Sequence, residues 1–351
     1  MISSRPRTAA GRGRWRLLLT VAAVCATAGL LAGCTTEAPP SPAGGNSGGG
    51  TFPVTVDHFF GATTIPQAPQ RIVTVGYTDE QAVLAFGAKP VGMTDQYPNP
   101  PGQSPDINTQ WPWTKQAWGD SRPEVVFTNG DAAPNYEKIA SLRPDLIIGV
   151  YSEIDQAGYD RLTQIAPTVA RTKAETEPFT APWQDNTRQI GKALGKEQQA
   201  GEAVTRIEAQ IAAAKQANPQ FANQTAMAVS WYKGAVEPFT STDVRGRLLT
   251  GLGYRGVPAI DQLAGPGEFS VTLSPERVNL IDVDRIFVIN DAADQQAIRS
   301  DPLFANLPAV RAGRVSYLLD SEGPAVGAAL SQSTVLSLPY GIDAIARAGA
   351  S

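Results

Sequence analysis

The chain has 351 residues, a formal net charge of −4 and 42% hydrophobic residues, which suits a folded body of about two domains. It contains one histidine and two cysteines, so a zinc site built from several histidines is excluded. The acidic balance argues against nucleic acid as a partner.

The N-terminus predicts a secretory signal over residues 1–33. Five arginines and no acidic residue precede an apolar run at 17–33 that ends in small residues, which is the pattern of a cleaved signal. The tetrapeptide LAGC ending at Cys34 resembles the lipobox of bacterial lipoproteins. This implies cleavage before Cys34, which then carries acyl chains such as palmitate, while Cys25 leaves with the signal. A non-lipidated signal or an uncleaved anchor is the alternative.

A flexible tether is predicted at residues 34–52. Its sequence, TTEAPPSPAGGNSGGG after the cysteine, is rich in Gly, Ser and Pro and cannot bury a core. The 29 Lys and Arg residues, less the five arginines of the signal, leave 24 against 33 acidic residues, a formal charge of −9 for the mature chain. The lipid anchor predicts a position on the extracytoplasmic side of the cell membrane.

Short apolar runs rich in β-branched residues recur after the tether and alternate with helical patterns. This alternation predicts βα units, parallel sheets and an α/β fold. The single histidine, His58, lies in the alternating stretch TVDHFFGATTIP and is expected to be an ordinary strand or turn residue. The predicted strands are RIVTVG (71–76), DLIIGV (145–150), TAMAVSW (225–231), RIFVIN (285–290) and RVSYLL (314–319).

The longest helical pattern runs from about residue 183 to 215 and is closed by an Asn-Pro pair. One helix of this length would measure about 50 Å and could join two lobes. The predicted domains are therefore an N-terminal α/β lobe at 53–181, a connecting helix at 182–218 and a C-terminal α/β lobe at 219–351. The apolar residues expected on one face of the helix are Ile190, Leu194, Val204, Ile207 and Ile211.

The two halves of the chain repeat one segment. NYEKIASLRPDLIIGV at 135–150 aligns without gaps with SPERVNLIDVDRIFVI at 274–289. Each copy begins with a residue that caps helices and has a glutamate two positions later, Glu137 or Glu276. A cap and an acidic first turn stabilise a helix start, which is a sufficient reason for both glutamates.

These segments, in this order, resemble the iron-siderophore substrate-binding lipoproteins of ABC importers, a periplasmic-binding type that also includes cobalamin binders. The resemblance covers about residues 53 to 345. It implies two α/β lobes joined by one long helix, with the ligand in the cleft between them. It also implies that the protein captures a ferric siderophore and delivers it to a membrane permease driven by an ATPase. Glu137 and Glu276 occupy the positions at which the family docks onto arginine pockets of the permease.

The ligand site is expected beyond the carboxyl ends of the predicted strands. Many ferric siderophores are anionic, so a cationic contact such as Arg245 is expected. Each aromatic candidate has the alternative of packing into its own lobe. The siderophore wraps its own iron, so neither metal ligands nor a further cofactor are expected from the protein. The candidate ligand-binding residues are Tyr77, Trp111, Trp113, Tyr151, Trp231, Tyr232 and Arg245.

Other functions remain open at this stage. The same fold binds cobalamin or haem, and a lipoprotein of this type could serve envelope maintenance or signalling instead of transport. An enzyme is not expected, because the sequence shows no nucleophile elbow, no HExxH motif and no phosphate loop. We expect a monomer with no catalytic residues.

Overall fold

Two α/β lobes and a helical connection make up the part of the protein that the computed structural model describes, residues 50–97 and 107–350. The predicted signal, Cys34 and almost all of the predicted tether lie outside the described residues. Among the helices described, none has both the length and the hydropathy to cross a membrane. All the described residues belong to one compact unit.

The N-terminal lobe contains an antiparallel hairpin of β1 and β2 and a five-stranded parallel sheet in the order β5-β4-β3-β6-β7. The strands are β1 Val54–His58, β2 Gly61–Ile65, β3 Ile72–Thr74, β4 Gly92–Asp95, β5 Glu124–Thr128, β6 Leu146–Gly149 and β7 Thr168–Ala170. The helices are α1 Asp79–Ala85, α2 Ile107–Gln110, α3 Lys115–Trp118, α4 Tyr136–Ser141 and α5 Gln156–Thr163.

The C-terminal lobe has a four-stranded sheet in the order β11-β10-β8-β9, in which β9 alone runs antiparallel to its neighbour. The strands are β8 Ala226–Tyr232, β9 Ala235–Pro238, β10 Arg285–Ile289 and β11 Val315–Leu318, and two 3₁₀-helices cover Pro219–Asn223 and Pro275–Ile281. The helices of this lobe are α8 Val244–Gly251, α9 Pro258–Asp261, α10 Ala292–Ser300, α11 Pro302–Ala305, α12 Pro308–Arg311, α13 Val326–Gln332 and α14 Ser337–Ala350.

All five predicted strands are confirmed, as β3, β6, β8, β10 and β11. Their apolar runs are buried because helices cover the parallel sheets on both faces, so nearly every side chain of β3, β6 and β10 lies in a core. The expectation for His58 is also confirmed, since it ends β1 on the buried face of the hairpin.

The predicted connecting helix is two helices. α6 covers Trp183–Ala193 and α7 covers Glu197–Ala217. The break falls at Gly195, whose φ of +64° lies in the left-handed region that glycine adopts without strain. The chain turns there, so that α6 packs on α7, and a Cβ on Gly191 would lie only 2.4 Å from that of Ala200. α7 is therefore about 30 Å long, and the prediction of one continuous helix of about 50 Å was wrong.

One apolar cluster runs through both lobes and the connection. It includes Ile72 of β3, Ile190 of α6, Ile207 of α7, Leu248 of α8 and Ile342 of α14, each at most 4% exposed. Interiors packed in this way transmit strain and resist deformation. Because the cluster contains residues of α6, α7 and both lobes, the helical connection shares one core with both lobes. The predicted apolar face is confirmed: Ile190, Leu194, Val204 and Ile207 are buried and Ile211 is half-buried.

Candidate ligand-binding cleft

A cavity of about 500 Å³ lies between the two lobes. It is lined by residues that directly follow strands of both sheets, among them Tyr77 after β3, Tyr151 after β6, Asn290 after β10 and Asp320 after β11. In α/β folds, ligands bind in the crevice beyond the carboxyl ends of the strands. The cavity therefore occupies the place that the sequence pattern predicts for a ligand, and its size is that of a small-molecule site.

Aromatic rings form the wall of the cavity on the N-terminal lobe. The ring of Phe179 lies 5.7 Å from that of Tyr77 and 4.8 Å from that of Tyr151. Phe127 does not line the cavity but supports Tyr77 from 5.9 Å. Burial raises the pKa of the Tyr151 phenol, which is therefore neutral and able to donate a hydrogen bond. Two of these residues, Tyr77 and Tyr151, were predicted from the sequence.

Phe179 was missed by the sequence analysis. Its backbone has a φ of +66°, which is uncommon for a bulky residue and is often found at functional sites. The buried carboxylate of Glu175 holds the loop by accepting hydrogen bonds from the backbone N–H groups of Thr180 at 2.9 Å and Ala181 at 3.2 Å. No periodic pattern marks this loop, so only the ring type in EPFTAPW could have suggested it.

Asp79 fixes the loop that carries Tyr151. The Asp79 carboxylate accepts hydrogen bonds from the backbone N–H groups of Val150 at 2.7 Å and of Tyr151 at 3.0 Å. The backbone N–H of Tyr77 donates to the carbonyl of Tyr151 at 2.9 Å. The two tyrosines of the wall are thus tied to each other and to the start of α1, although burial raises the pKa of Asp79 to about 6.

Trp231 and Tyr232 form the facing wall on the C-terminal lobe, at the end of β8. Asn290 positions Trp231 with two hydrogen bonds: the Trp231 N–H donates to Asn290 Oδ1 at 2.7 Å, and Asn290 Nδ2 donates to the Trp231 carbonyl at 3.1 Å. Tyr232 is 52% exposed. Phe239 and Phe269 complete this side, so both walls present aromatic rings.

Arg245 lines the cavity as the sequence predicted, but it is already paired. Its Nε and Nη2 donate to the two carboxylate oxygens of Asp243 at 2.7 and 3.0 Å, and Nη1 donates to Ser331 Oγ at 3.0 Å. Its guanidinium also stacks 3.6 Å from the centre of the Phe239 ring. Burial alone lowers the pKa of Arg245, but the Asp243 carboxylate more than offsets this and keeps the group charged.

Trp111 and Trp113 are not among the described residues that line this cavity. Trp111 is 2% exposed and packs with Ala325 and Ala328 of the other lobe. Trp113 stacks on Trp111 with ring centroids 5.0 Å apart. For these two residues the structure supports packing, the alternative that the sequence left open, but packing between lobes instead of within one.

A hydrogen-bond network joins the two lobes beside Trp113. The side chain of Gln81 in α1 donates to Gln332 Oε1 at 2.7 Å and accepts from Thr334 Oγ1 at 2.6 Å and Trp113 Nε1 at 3.0 Å. Gln332 also donates to Gln96, which lines the cavity. This network, Gln81–Gln332–Thr334–Trp113, closes the base of the cleft.

Glu137 and Glu276 are both exposed, each in the first turn of a helical segment. Asn135 caps α4 through a hydrogen bond from the Lys138 N–H at 2.9 Å. The second copy is a 3₁₀-helix instead of an α-helix. The backbone N–H of Glu276 and the Ser274 side chain lower the pKa of the Glu276 carboxyl by hydrogen bonding. Both glutamates are accessible to a partner, and their docking role remains a prediction.

His58 does not line the cavity. Its Nε2 is 2.9 Å from Thr63 Oγ1 and 3.3 Å from the Tyr159 hydroxyl, inside the N-terminal lobe. Burial lowers the pKa of His58. Within residues 50–97 and 107–350, no group of three or more His, Cys, Asp or Glu side chains could hold a metal ion.

Comparisons with known proteins agree with this architecture. A probable siderophore-binding lipoprotein of Bacillus subtilis, YfiY, is 27% identical over 76% of this chain and 80% of its own length. A periplasmic solute-binding protein from Mycobacterium smegmatis has a TM-score of 0.72 and 29% identity, covering 85% of this chain and 97% of its own. Streptococcus pneumoniae PiaA, solved with ferrichrome, has a TM-score of 0.68 and 25% identity, covering 84% and 97%. The family model described as periplasmic binding protein matches residues 74–322, so the chain belongs to that family.

Proposed function

We propose that this protein captures a ferric siderophore outside the cytoplasm and delivers it to a membrane permease driven by an ATPase. The observation that carries the proposal is the aromatic-walled cavity of about 500 Å³ between the two lobes. Relatives with this fold include a probable siderophore-binding lipoprotein and a protein solved with ferrichrome. The iron enters inside its chelator, so the protein supplies shape and contacts instead of metal ligands.

The cleft favours a large, preassembled ligand. Aromatic faces on both sides bury the apolar parts of a chelator, and tyrosine and serine hydroxyls satisfy its outward-facing oxygens. Tyr77 and Tyr151 contribute from one lobe, and Trp231 and Tyr232 from the other. A bound chelate would therefore contact both lobes at the same time.

Delivery would use an exposed glutamate on each lobe. Glu137 and Glu276 each begin a helical segment on a different lobe and are exposed. We propose that they bind arginine side chains of the permease and so register both lobes on it. Cys34 would hold the monomeric protein at the membrane through its acyl chains, and the tether at 34–52 would give the reach for docking.

Tryptophan fluorescence tests capture. Trp231 lines the cavity, so a bound ferric chelate should quench emission of the purified compact unit, residues 47–351. We expect saturable quenching at submicromolar concentration by one ferric class and little by its iron-free form. Quenching by cobalamin or haem alone would keep the fold and replace the cargo. No response to any of these ligands would contradict the proposal.

Iron uptake in cells tests docking. Replacing both Glu137 and Glu276 by alanine should abolish uptake while leaving the affinity for the chelate unchanged, because neither residue lines the cavity. Both side chains are exposed and make no contact with the described core, so the fold should persist. Glu202→Ala, at an exposed position of α7, is the matched control. Normal uptake by the double variant would refute the docking role.

A further inference from the structure

The cavity wall carries a net negative formal charge, although a cationic contact for an anionic chelate was expected from the sequence. Among the described residues that line it, one is cationic, Arg245, and five carry carboxyl groups, which gives a formal charge of −4. Residues 98–106, outside the described part of the chain, contain no lysine or arginine in their sequence. The five carboxyl residues are Glu153, Glu237, Asp243, Asp294 and Asp320.

The positive charge of Arg245 is already neutralised. Asp243 accepts from two of its nitrogens, at 2.7 and 3.0 Å, and Ser331 accepts from the third. One face of the guanidinium is covered by Phe239 at 3.6 Å. An anionic ligand would have to break this bidentate pair to gain a contact of its own, which would leave the buried Asp243 unpaired.

Four carboxyl groups remain after this pairing. Glu153 and Asp294 are exposed at the mouth of the cavity. Glu237 accepts a hydrogen bond from Thr272 at 2.8 Å, and Asp320 accepts from the Tyr97 hydroxyl at 3.4 Å. These hydroxyl partners carry no charge. Burial and the neighbouring Asp291 raise the pKa of Asp320 to about 6, and Arg245 opposes the rise, so Asp320 is still mostly ionised at pH 7.

Ferric chelates differ in charge by chemical class. Three catecholates around ferric iron leave three negative charges, and ferric citrate is also anionic. Three hydroxamates leave none, and an added amine gives one positive charge. We infer, resting on the proposed function, that this cleft takes a neutral or cationic ferric trihydroxamate-type chelate and rejects anionic catecholate and citrate chelates. Specificity of this kind comes from repulsion of the wrong ligand as well as contact with the right one.

A titration of four probes tests the inference. The compact unit is titrated with ferrichrome (neutral), ferrioxamine B (cationic), ferric enterobactin and ferric citrate (both anionic), by fluorescence at low salt. We expect one of the first two to bind at least about tenfold more tightly than either anion, as several unbalanced charges predict. Tighter binding of an anionic chelate overturns the inference but leaves siderophore capture standing. Binding of none overturns the proposed function and the inference together.

Charge variants provide the second test. The double change Glu153→Gln with Asp294→Asn removes two exposed carboxylates without altering side-chain size. For an assumed separation of about 8 Å in water, each charge is worth about 2.4-fold in affinity for a single opposite charge. Ferrioxamine B should therefore bind about sixfold more weakly to the double variant, with ferrichrome unchanged. Glu202→Gln, on α7, is the matched control and should alter neither. An unchanged affinity for ferrioxamine B in the double variant would overturn the electrostatic argument.

Discussion

Glu80 in α1 predicts that the folded protein loses stability as the pH rises. The residue is 0% exposed, and its carboxyl oxygens have no hydrogen bond of good geometry among the described residues. Marginal contacts with the Glu80 backbone N–H and the Gln81 side chain lower the pKa but offset only part of the effect of burial. Burial raises the pKa of Glu80 from 4.5 to about 8, and neighbouring Asp79 and Asp95 also favour the protonated form. Glu80 is therefore neutral in the folded protein at pH 7, while it is ionised in the unfolded chain.

The sign and size of the effect follow from this difference. A pKa that is higher in the folded state contributes stability that is fully present below pH 4.5 and is lost as pH rises towards 8. Between pH 5 and 7 the unfolded chain releases this proton and the folded protein keeps it. The free energy of unfolding should fall by about 2–3 kcal/mol over this interval from Glu80 alone.

Urea unfolding at several pH values measures this loss. The variant Glu80→Gln keeps the size of the side chain but cannot ionise, so its free energy of unfolding should fall less than that of the unaltered protein between pH 5 and 7. Asp79 contributes a loss of the same sign up to its pKa of about 6 and stays in both proteins. Glu202→Gln, an exposed change, is the control. Equal pH dependence in Glu80→Gln and the unaltered protein would refute the reasoning.

Three other predictions concern the connection and the cleft. Gly191→Ala should lower the free energy of unfolding by about 1–3 kcal/mol, because its Cβ would lie 2.4 Å from that of Ala200; thermal unfolding measures this, and an unchanged midpoint would contradict it. Asn290→Ala leaves two backbone groups of Trp231 unpaired and should weaken both stability, by about 1–3 kcal/mol, and chelate affinity; unaltered binding would show that Trp231 needs no such support. Solution scattering should give a radius of gyration near about 19 Å for the folded body, with no resolvable change on ligand binding, and a large decrease would exclude a stiff connection.

The positions of the main strands could be predicted from the sequence because their signals are local. An apolar run such as DLIIGV is buried on both sides of a parallel sheet, and nothing else in the fold needs such a run. Once these strands are known, their carboxyl ends locate Tyr77, Tyr151 and Trp231 at one crevice. The sequence therefore shows which residues lie at this edge of the sheet, although it does not show how their side chains are arranged.

The remaining features depend on tertiary contacts. The predicted apolar face has no member between Leu194 and Val204, and a glycine after Leu194 is typical of a helix end. The packing of α6 on α7 shows that the chain turns at Gly195. Trp111 and Trp113 stand in an irregular loop, where no pattern separates a cavity wall from a contact between lobes. Arg245 pairs with Asp243, only two residues away in the chain. Its other contacts, with Ser331 and Phe239, depend on the fold and could not be predicted from the sequence.

The stiffness of the connection between the lobes affects how the charge of the cleft selects a ligand. The lobes are tied at two places: through the apolar cluster around Ile190 and Ile207, and through the network of Gln81 and Gln332 at the base of the cleft. A protein tied in this way closes little, because hinge motion would separate groups that are buried and hydrogen-bonded. It cannot reshape its cavity around different cargoes, so selectivity must lie in the preformed wall. Because Glu237 and Asp320 of that wall are held by hydrogen bonds, their charge discriminates between chelates with little reorganisation.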